Sequence, residues 1–188
     1  MADSDSALLV IDMLEDFVRP GAPLEVASTR GILPALRRRI RSARKRGELV
    51  VYLCDSHRRN DPEFSRMGWP PHAVAGTPGA AVVEEISPEP GDVVVEKKGY
   101  SGFHRTGLAS VLRRRGIRAL SLSGCVTNIC ILYTAYDAAV RGYDVTVEER
   151  LVAGLDPKSH AFALDQMEAV LGARVLRGPT PSRRKEHR

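Results

Sequence analysis

The sequence lacks the features of a protein that spans a membrane or is exported across one. No apolar run is long enough to cross a bilayer, and the first, ALLVID at 7–12, follows no basic segment of the kind that opens a signal peptide. Cysteine is scarce, and the three residues Cys54, Cys125 and Cys130 are an odd number, which argues against a disulfide framework. We therefore expect a soluble, cytoplasmic protein with reduced thiols and no membrane partner.

The basic residues lack the interleaved aromatic residues of a single-strand nucleic-acid binder. The net charge of +5 comes mainly from RRRIRSARKR at 37–46 and from SRRKEHR at 182–188. In the first segment apolar residues recur at helical spacing, which predicts that the arginines occupy the opposite, solvated face. The second segment is typical of a frayed terminus. We therefore predict no nucleic-acid partner, one domain over residues 1–180 and a disordered basic tail over 181–188.

Apolar runs alternate with amphipathic stretches along the chain, with no internal repeat and no linker between domains. Six runs are apolar almost without interruption, as in strands that are buried on both faces. They lie at 7–12, 48–54, 92–97, 117–124, 143–147 and 173–176. Helical periodicity falls between them, at 30–46, 79–87, 105–115, 127–141 and 157–170. The pattern predicts an α/β fold: a single-domain, doubly wound (Rossmann-like) parallel six-stranded sheet with helices on both faces.

Polar residues gather where the predicted strands end. Asp12 ends the first strand, and Asp55 with His57 follows the second. Lys97 ends the third strand, and TNIC at 127–130 follows the fourth. In sheets of this kind ligands bind beyond the carboxyl ends of the strands. The sequence therefore predicts a functional site at this edge, next to the long loop at 55–78.

Cys130 lies between a strand end and a predicted helix that Thr127 or Asn128 can cap. At a helix start the dipole and the free backbone amides favour a thiolate, and they can bind an oxyanion. An isolated cysteine is equally well explained as a small apolar residue in the core. Its position therefore predicts a nucleophile only together with partner residues.

Two further side chains are candidate partners of that thiol. A carboxylate at Asp12 can take the thiol proton and return it to a leaving amine, although an aspartate there can also be a turn cap. An ammonium group from Lys97 or Lys98 would stabilise the charged forms of both groups. Strand alternation allows only one of the two lysines to point at the site.

The loop after the second strand carries candidate metal ligands. Asp55, His57 and His72 offer one carboxylate and two imidazoles, which are sensible ligands for zinc, iron or manganese. Asp-x-His alone is weak support for a metal site. The third candidate ligand, His72 within WPPHAVAGTPG at 69–79, strengthens that interpretation. Glu63 is a possible fourth ligand, but we expect it to be exposed.

Three aromatic residues could form a flat apolar slot for a ring, although each is also typical of a core position. They are Phe17, Trp69 and Tyr100.

These motifs resemble the isochorismatase-like cysteine hydrolases, and within them the nicotinamidase/pyrazinamidase group, from about Leu8 to Val175. The strongest piece is GCVTNICILYTAYDAAVRGYDV at 124–145. The resemblance implies that Cys130 is the nucleophile, that the Cys125–Val126 peptide is cis, and that the amides of Val126 and Cys130 form the oxyanion hole.

Three other segments resemble family motifs. IDMLEDF implies that Asp12 is the proton shuttle, and EKKGYSGF selects Lys97 over Lys98. CDSHRRNDPEF and WPPHAVAGT resemble the metal loop of the family. They imply the ligands Asp55, His57 and His72. The resemblance further implies Phe17 as a pocket wall, Trp69 as a ring-stacking residue and a homo-oligomer.

The resemblance implies that the protein converts nicotinamide and water to nicotinate and ammonia, through a thioester on Cys130. Other amides remain open, of the maleamate, ureidoacrylate or biuret type, because Leu14 and His104–Arg105 depart from the nicotinamidase pattern. Isochorismatase activity itself is disfavoured by the thiol. A non-catalytic binding protein on the same fold is disfavoured by the intact set of Asp12, Lys97 and Cys130.

Overall fold

A parallel six-stranded sheet forms the centre of the molecule. The structure is a computed structural model that describes residues 4–178, so the predicted tail at 181–188 lies outside the described residues. The strands are β1 (Ser6–Ile11), β2 (Leu49–Asp55), β3 (Val93–Lys97), β4 (Ala119–Cys125), β5 (Asp144–Ala153) and β6 (Arg174–Leu176). Their order is β3-β2-β1-β4-β5-β6, and every neighbouring pair is parallel. The predicted fold class is confirmed.

The described chain contains six α-helices, and four of them pack against the two faces of the sheet. The six helices are α1 (Glu15–Val18), α2 (Thr29–Lys45), α3 (Pro62–Met67), α4 (Leu108–Arg114), α5 (Leu132–Ala139) and α6 (Pro157–Ala169). Along β1, Leu8 and Val10 pack on the side of α2, while Leu9 and Ile11 pack on the side of α4, α5 and α6. This alternation is why the strand reads as a continuous apolar run. No helix within residues 4–178 is both long and apolar enough to span a bilayer.

The basic face of α2 is only partly solvated, so the prediction for its arginines was incomplete. Arg37 and Arg38 are exposed, as expected. Arg39, in contrast, forms two hydrogen bonds of 2.7 Å to the carboxylate of buried Glu48. Arg44 likewise pairs with Asp92 at 2.6 Å. These acids lie beside the ends of the neighbouring strands and hold α2 against the sheet.

The predicted helix at 79–87 was wrong. Two short 3₁₀ turns stand there, Pro78–Ala80 and Glu84–Ile86, separated by an extended segment. In that segment Val82 forms a bridge with Leu14. Pairing with the chain that follows β1 therefore outweighs the weak local helical pattern.

The loop at 55–78 contains a helix that the sequence analysis missed. Asp61 begins α3 by accepting a hydrogen bond of 3.0 Å from the amide of Glu63, and Gly68 ends it at a φ of 67°. The first turn of α3 buries Glu63, which is only 8% exposed, so the expectation of an exposed side chain was wrong. The sequence signals for this helix are Asp61 as the cap, Pro62 after it and Gly68 at the end.

Candidate active site

The site lies where the strand order reverses, between β1 and β4. Asp12 follows β1, and Cys125 ends β4 beside it. Gly124 has a φ of 106°, and a Cβ there would lie 2.0 Å from the carbonyl oxygen of Ile11. Only glycine therefore allows the two strand ends to approach so closely. This is the switch point at which doubly wound sheets bind ligands.

Asp12 is buried and held in an unusual backbone conformation. Its φ is 52°, in the left-handed region, and its amide donates to the carbonyl of Leu53 at 2.8 Å. Its Oδ1 accepts a hydrogen bond of 2.9 Å from the amide of Asp55. Within the described chain its Oδ2 has no hydrogen bond of good geometry, although Lys97 Nζ lies 2.8 Å away. Asp12 therefore presents one buried oxygen, ion-paired with Lys97, to the site.

Lys97 joins three functional side chains. The last residue of β3, it is 1% exposed, whereas Lys98 is exposed, so the choice between the two lysines agrees with the sequence prediction. Its Nζ forms ion pairs with Asp12 and with Asp55 and lies 3.5 Å from Cys130 Sγ. A single buried ammonium group therefore contacts two carboxylates and the thiol.

Cys130 lies in one turn of π-helix, Thr127–Ile131, which continues into α5. The peptide bond between Cys125 and Val126 is cis, as the resemblance implied. The predicted cap was wrong, because no side chain caps this helix start. Instead, the carbonyl oxygen of Val126 accepts hydrogen bonds from the amides of Ile129 and Ile131, at 3.0 and 3.2 Å.

Burial controls the protonation of the thiol and of its neighbours. It raises the pKa of Cys130 well above its usual value, and the charge of Asp12 adds to the shift while Lys97 opposes it. Burial, together with the charge of Asp55, raises the pKa of Asp12 to about 6. Burial also acts against the charge on Lys97, but the two carboxylates raise its pKa well above the ordinary value. The expected thiolate is therefore a thiol beside a carboxylate and an ammonium group.

Asp55, His57 and His72 come together as predicted, with one ligand atom of each within 4.8 Å of the others. The Nδ1 of His72 donates to the carbonyl of Pro70 at 2.8 Å, which leaves Nε2 as the ligand atom. The Nδ1 of His57 lies 3.3 Å from a carboxylate oxygen of Asp61. A partner such as the Pro70 carbonyl fixes the tautomer and orientation of a metal-binding imidazole.

The spacing of these atoms fits a divalent metal. His57 Nε2 lies 3.6 Å from Asp55 Oδ2. Adjacent ligand atoms of a tetrahedral zinc site, with bonds of about 2.0–2.2 Å, lie roughly 3.3–3.6 Å apart. Asp55 uses its other oxygen, Oδ1, to bind Lys97, so the two roles do not compete for one atom. The donor set of one carboxylate and two imidazoles suits zinc, iron or manganese.

A pocket opens above Cys130. The aromatic residues predicted as pocket walls line it, namely Phe17, Trp69 and Tyr100. The rings of Phe17 and Trp69 pack against His72, with centroids 5.5 and 5.9 Å away. Glu63, a possible fourth metal ligand that was expected to be exposed, also lines it. The lining residues in the described chain include acids but no arginine or lysine.

Comparison with known proteins places the chain in a family. The isochorismatase domain matches residues 6–178. A Bacillus subtilis protein described as the uncharacterised isochorismatase family protein PncA is 35% identical over 180 residues, covering 90% of this chain and 97% of its own length. An Arabidopsis thaliana protein named "Probable inactive nicotinamidase" is 33% identical, covering 88% of this chain and 89% of its own.

Two further similarities bear on the site. A maleamate amidohydrolase of Pseudomonas putida is 32% identical, covering 91% of this chain and 83% of its own length. The pyrazinamidase of Pyrococcus horikoshii, solved in complex with zinc, is 33% identical with a TM-score of 0.86, covering 93% of this chain and 100% of its own. Because the family match and these relatives extend over nearly the whole chain, the protein belongs to the isochorismatase family of hydrolases.

Proposed function

We propose that the protein hydrolyses a small, neutral, aromatic carboxamide, nicotinamide to nicotinate and ammonia, through a thioester on Cys130. One observation carries this proposal: Asp12, Lys97 and Cys130 form a single buried cluster, with Lys97 Nζ 2.8 Å from Asp12 and 3.5 Å from the thiol. A nucleophile, a proton acceptor and a fixed positive charge therefore meet at the floor of an aromatic pocket.

The first half of the reaction forms the thioester. The Cys130 thiol gives its proton to Asp12 Oδ2 as the sulfur attacks the amide carbon. The amides of Val126 and Cys130 donate hydrogen bonds to the oxyanion that forms. Asp12 then returns the proton to the amide nitrogen, the C–N bond breaks and ammonia leaves. Lys97 remains protonated throughout and stabilises each charged state of Asp12 and of the sulfur.

The second half releases the acid. A water molecule gives a proton to Asp12 and attacks the thioester carbon. The C–S bond breaks, and the proton returns from Asp12 to Cys130. The product carboxylic acid loses its own proton to solvent. The enzyme is restored without any oxidant or further reactant, which is the balance that an amide hydrolysis requires.

Asp55, His57 and His72 would hold a divalent metal at the wall of the same pocket. When bound, a zinc, iron or manganese ion supplies a Lewis-acid contact that orients a ring nitrogen. Phe17 and Trp69 lie against His72, so an aromatic ring that enters the slot is stacked near this ligand set.

The charge of the pocket favours a neutral substrate. Its lining contains Asp12, Asp55 and Glu63 and, within the described chain, no arginine or lysine. A maleamate or ureidoacrylate substrate would bring a carboxylate beside these acids, and the nearby Lys97 is already paired with Asp12 and Asp55. The pocket therefore supports nicotinamide or pyrazinamide over the acidic amides of related enzymes.

The competing function is a non-catalytic role, since one relative carries the name of an inactive nicotinamidase. Against it stands the complete buried cluster of Asp12, Lys97 and Cys130, which an inactive protein has no need to maintain.

Ammonia release from a panel of small amides tests the proposal. The panel contains nicotinamide, pyrazinamide, maleamate and biuret, each assayed with and without added zinc, iron or manganese. We expect rapid metal-dependent release from the two ring amides. Release from maleamate or biuret alone would overturn the substrate assignment, and no release from any amide would favour the non-catalytic role.

A further inference from the structure

Helix α6 packs against the turn that carries Cys130. Thr127, the first residue of the turn, is fully buried, and its hydroxyl lies 2.8 Å from Nδ1 of His160. The hydroxyl therefore bonds to another helix instead of capping its own. This is the one hydrogen bond between side chains that joins α6 to the turn in the described chain.

The surrounding sequence places His160 for this contact. Asp156 begins α6 by accepting a hydrogen bond of 2.8 Å from the amide of Ser159, which sets the first helical turn and with it His160. Gly154 makes room for the imidazole, since a Cβ there would lie 2.9 Å from the Cβ of His160. The close approach of the ring is therefore built into two neighbouring positions.

The cis turn is thus fixed on two sides. On one side the carbonyl of Val126 accepts the amides of Ile129 and Ile131. On the other side, Thr127 is bonded to His160. Val126 lies between these two contacts, so the direction of its amide depends on both.

We propose that His160 is a positioning residue for the oxyanion hole: through Thr127 it fixes the direction of the Val126 amide. The inference rests on the proposed thioester mechanism, in which that amide stabilises the oxyanion. His160 contacts neither substrate nor sulfur, and its effect belongs to the transition state. Loss of the contact lowers kcat and leaves KM nearly unchanged, because the oxyanion is absent from the bound ground state.

Two pairs of variants test the contact. Thr127→Val and His160→Leu remove one partner each at similar volume, while Thr127→Ser and His160→Asn retain a hydrogen-bonding group at the same place. We expect kcat for the best amide to fall about tenfold or more in the first pair, within the loss that follows from a weakened oxyanion donor. The second pair retains kcat within about threefold.

The double variant shows whether the two residues act as one unit. Thr127→Val combined with His160→Leu should be no slower than the slower single variant. If the fold losses in kcat of the two single variants multiply in the double variant, the residues act separately and the proposal is overturned.

Alkylation of Cys130 by iodoacetamide is the control for a general structural effect, because that reaction uses no oxyanion hole. The alkylation rate should stay within about twofold of wild type in all four variants. A parallel fall in alkylation and hydrolysis would mean that the thiol itself had moved, and would overturn the assignment to the oxyanion hole.

Hydrogen exchange of residues 125–131 needs no substrate and separates this inference from the proposed function. We expect faster exchange in Thr127→Val and His160→Leu, with wild-type exchange in the two conservative variants. Unchanged exchange in His160→Leu would overturn the positioning role, even if the wild-type protein hydrolyses nicotinamide. Altered exchange in a protein that hydrolyses no amide would instead overturn the proposed function and retain the structural contact.

Discussion

The carboxylate of Asp16 accepts a hydrogen bond of 2.8 Å from the amide of Ala73. Ala73 follows the candidate ligand His72, and its carbonyl accepts the amide of His57 at 2.9 Å. The backbone of Ala73 therefore connects Asp16 to both candidate ligand histidines, His57 and His72. Ala73 has a φ of 44°, a conformation that an alanine adopts only when its surroundings hold it there.

Gly79→Ala should weaken metal binding without touching any ligand. A Cβ at this position would lie 2.2 Å from Oδ2 of Asp16 and would push the carboxylate away from Ala73. We expect zinc affinity, measured by competition with a chelator, to fall about tenfold or more, as for other losses of outer-shell support. Gly31→Ala is the matched control, since nothing lies within 4 Å of a Cβ there. Equal zinc affinity in both variants would contradict the role of Asp16.

His72→Ala should remove most of the bound metal while the thiol cluster stays intact. The variant loses one of the three candidate ligands, and neither Lys97 nor Cys130 contacts His72 through a hydrogen bond. Elemental analysis of the purified protein measures the metal, and iodoacetamide labelling of Cys130 checks the cluster. Metal content equal to that of wild type would exclude His72 from the ligand set.

The position of the site at one edge of the sheet could be predicted, because the carboxyl ends of parallel strands lie at the same edge. Asp12, Asp55 and Lys97 each follow or end an apolar run, so their convergence requires only the strand order. The thiol's surroundings could not be predicted in this way. Thr127 looked like a cap, but its partner His160 stands 33 residues further along the chain, and no local pattern connects them.

Local patterns also failed where burial decides the outcome. The helix start predicted a thiolate at Cys130, yet burial of the sulfur and the charge of Asp12 raise the pKa of the thiol despite the opposing charge of Lys97. Glu63 was expected to be exposed, whereas the first turn of α3 directs it into the pocket. Both corrections depend on tertiary packing, which the order of residues along one segment does not contain.

Cys130→Ala should abolish turnover and leave the fold intact. Removal of a catalytic nucleophile costs at least about a thousandfold in kcat. The matched control is Cys54→Ala, which removes another buried thiol that does not line the pocket and should retain activity. Circular dichroism and thermal unfolding compare the folds. Turnover of Cys130→Ala near that of Cys54→Ala would exclude the thioester mechanism.

Asp12→Asn should be nearly as damaging as loss of the thiol. The amide keeps the volume of the side chain and can still accept the hydrogen bond from Asp55, but it cannot take the proton of Cys130. Loss of a general base costs about 10²–10⁴-fold in rate. The measurement is kcat on the best amide of the panel. A rate close to wild type would exclude Asp12 as the base and leave it a structural role in the turn.

The pH profile of kcat/KM should show an acid limb near pH 6. The pKa of Asp12 is raised to about 6, chiefly by burial, and only the ionised form accepts the thiol proton. Below that pH we expect kcat/KM to fall about tenfold per unit, as for a single essential base. A profile that stays flat down to pH 5 would contradict the assignment of the base.

Unfolding does not explain that limb, because the protonation of Asp12 acts on stability in the opposite direction. Its folded pKa lies above the ordinary value of 3.8, so the native state binds the proton more tightly than the unfolded chain. This group therefore adds stability as the pH falls from about 6 towards 3.8. Asp55, whose pKa the Lys97 charge lowers despite burial, loses its stabilising charge only below 3.8. Thermal unfolding at pH 5 and pH 7 should accordingly show a folded protein at both, while kcat/KM at pH 5 is about tenfold lower.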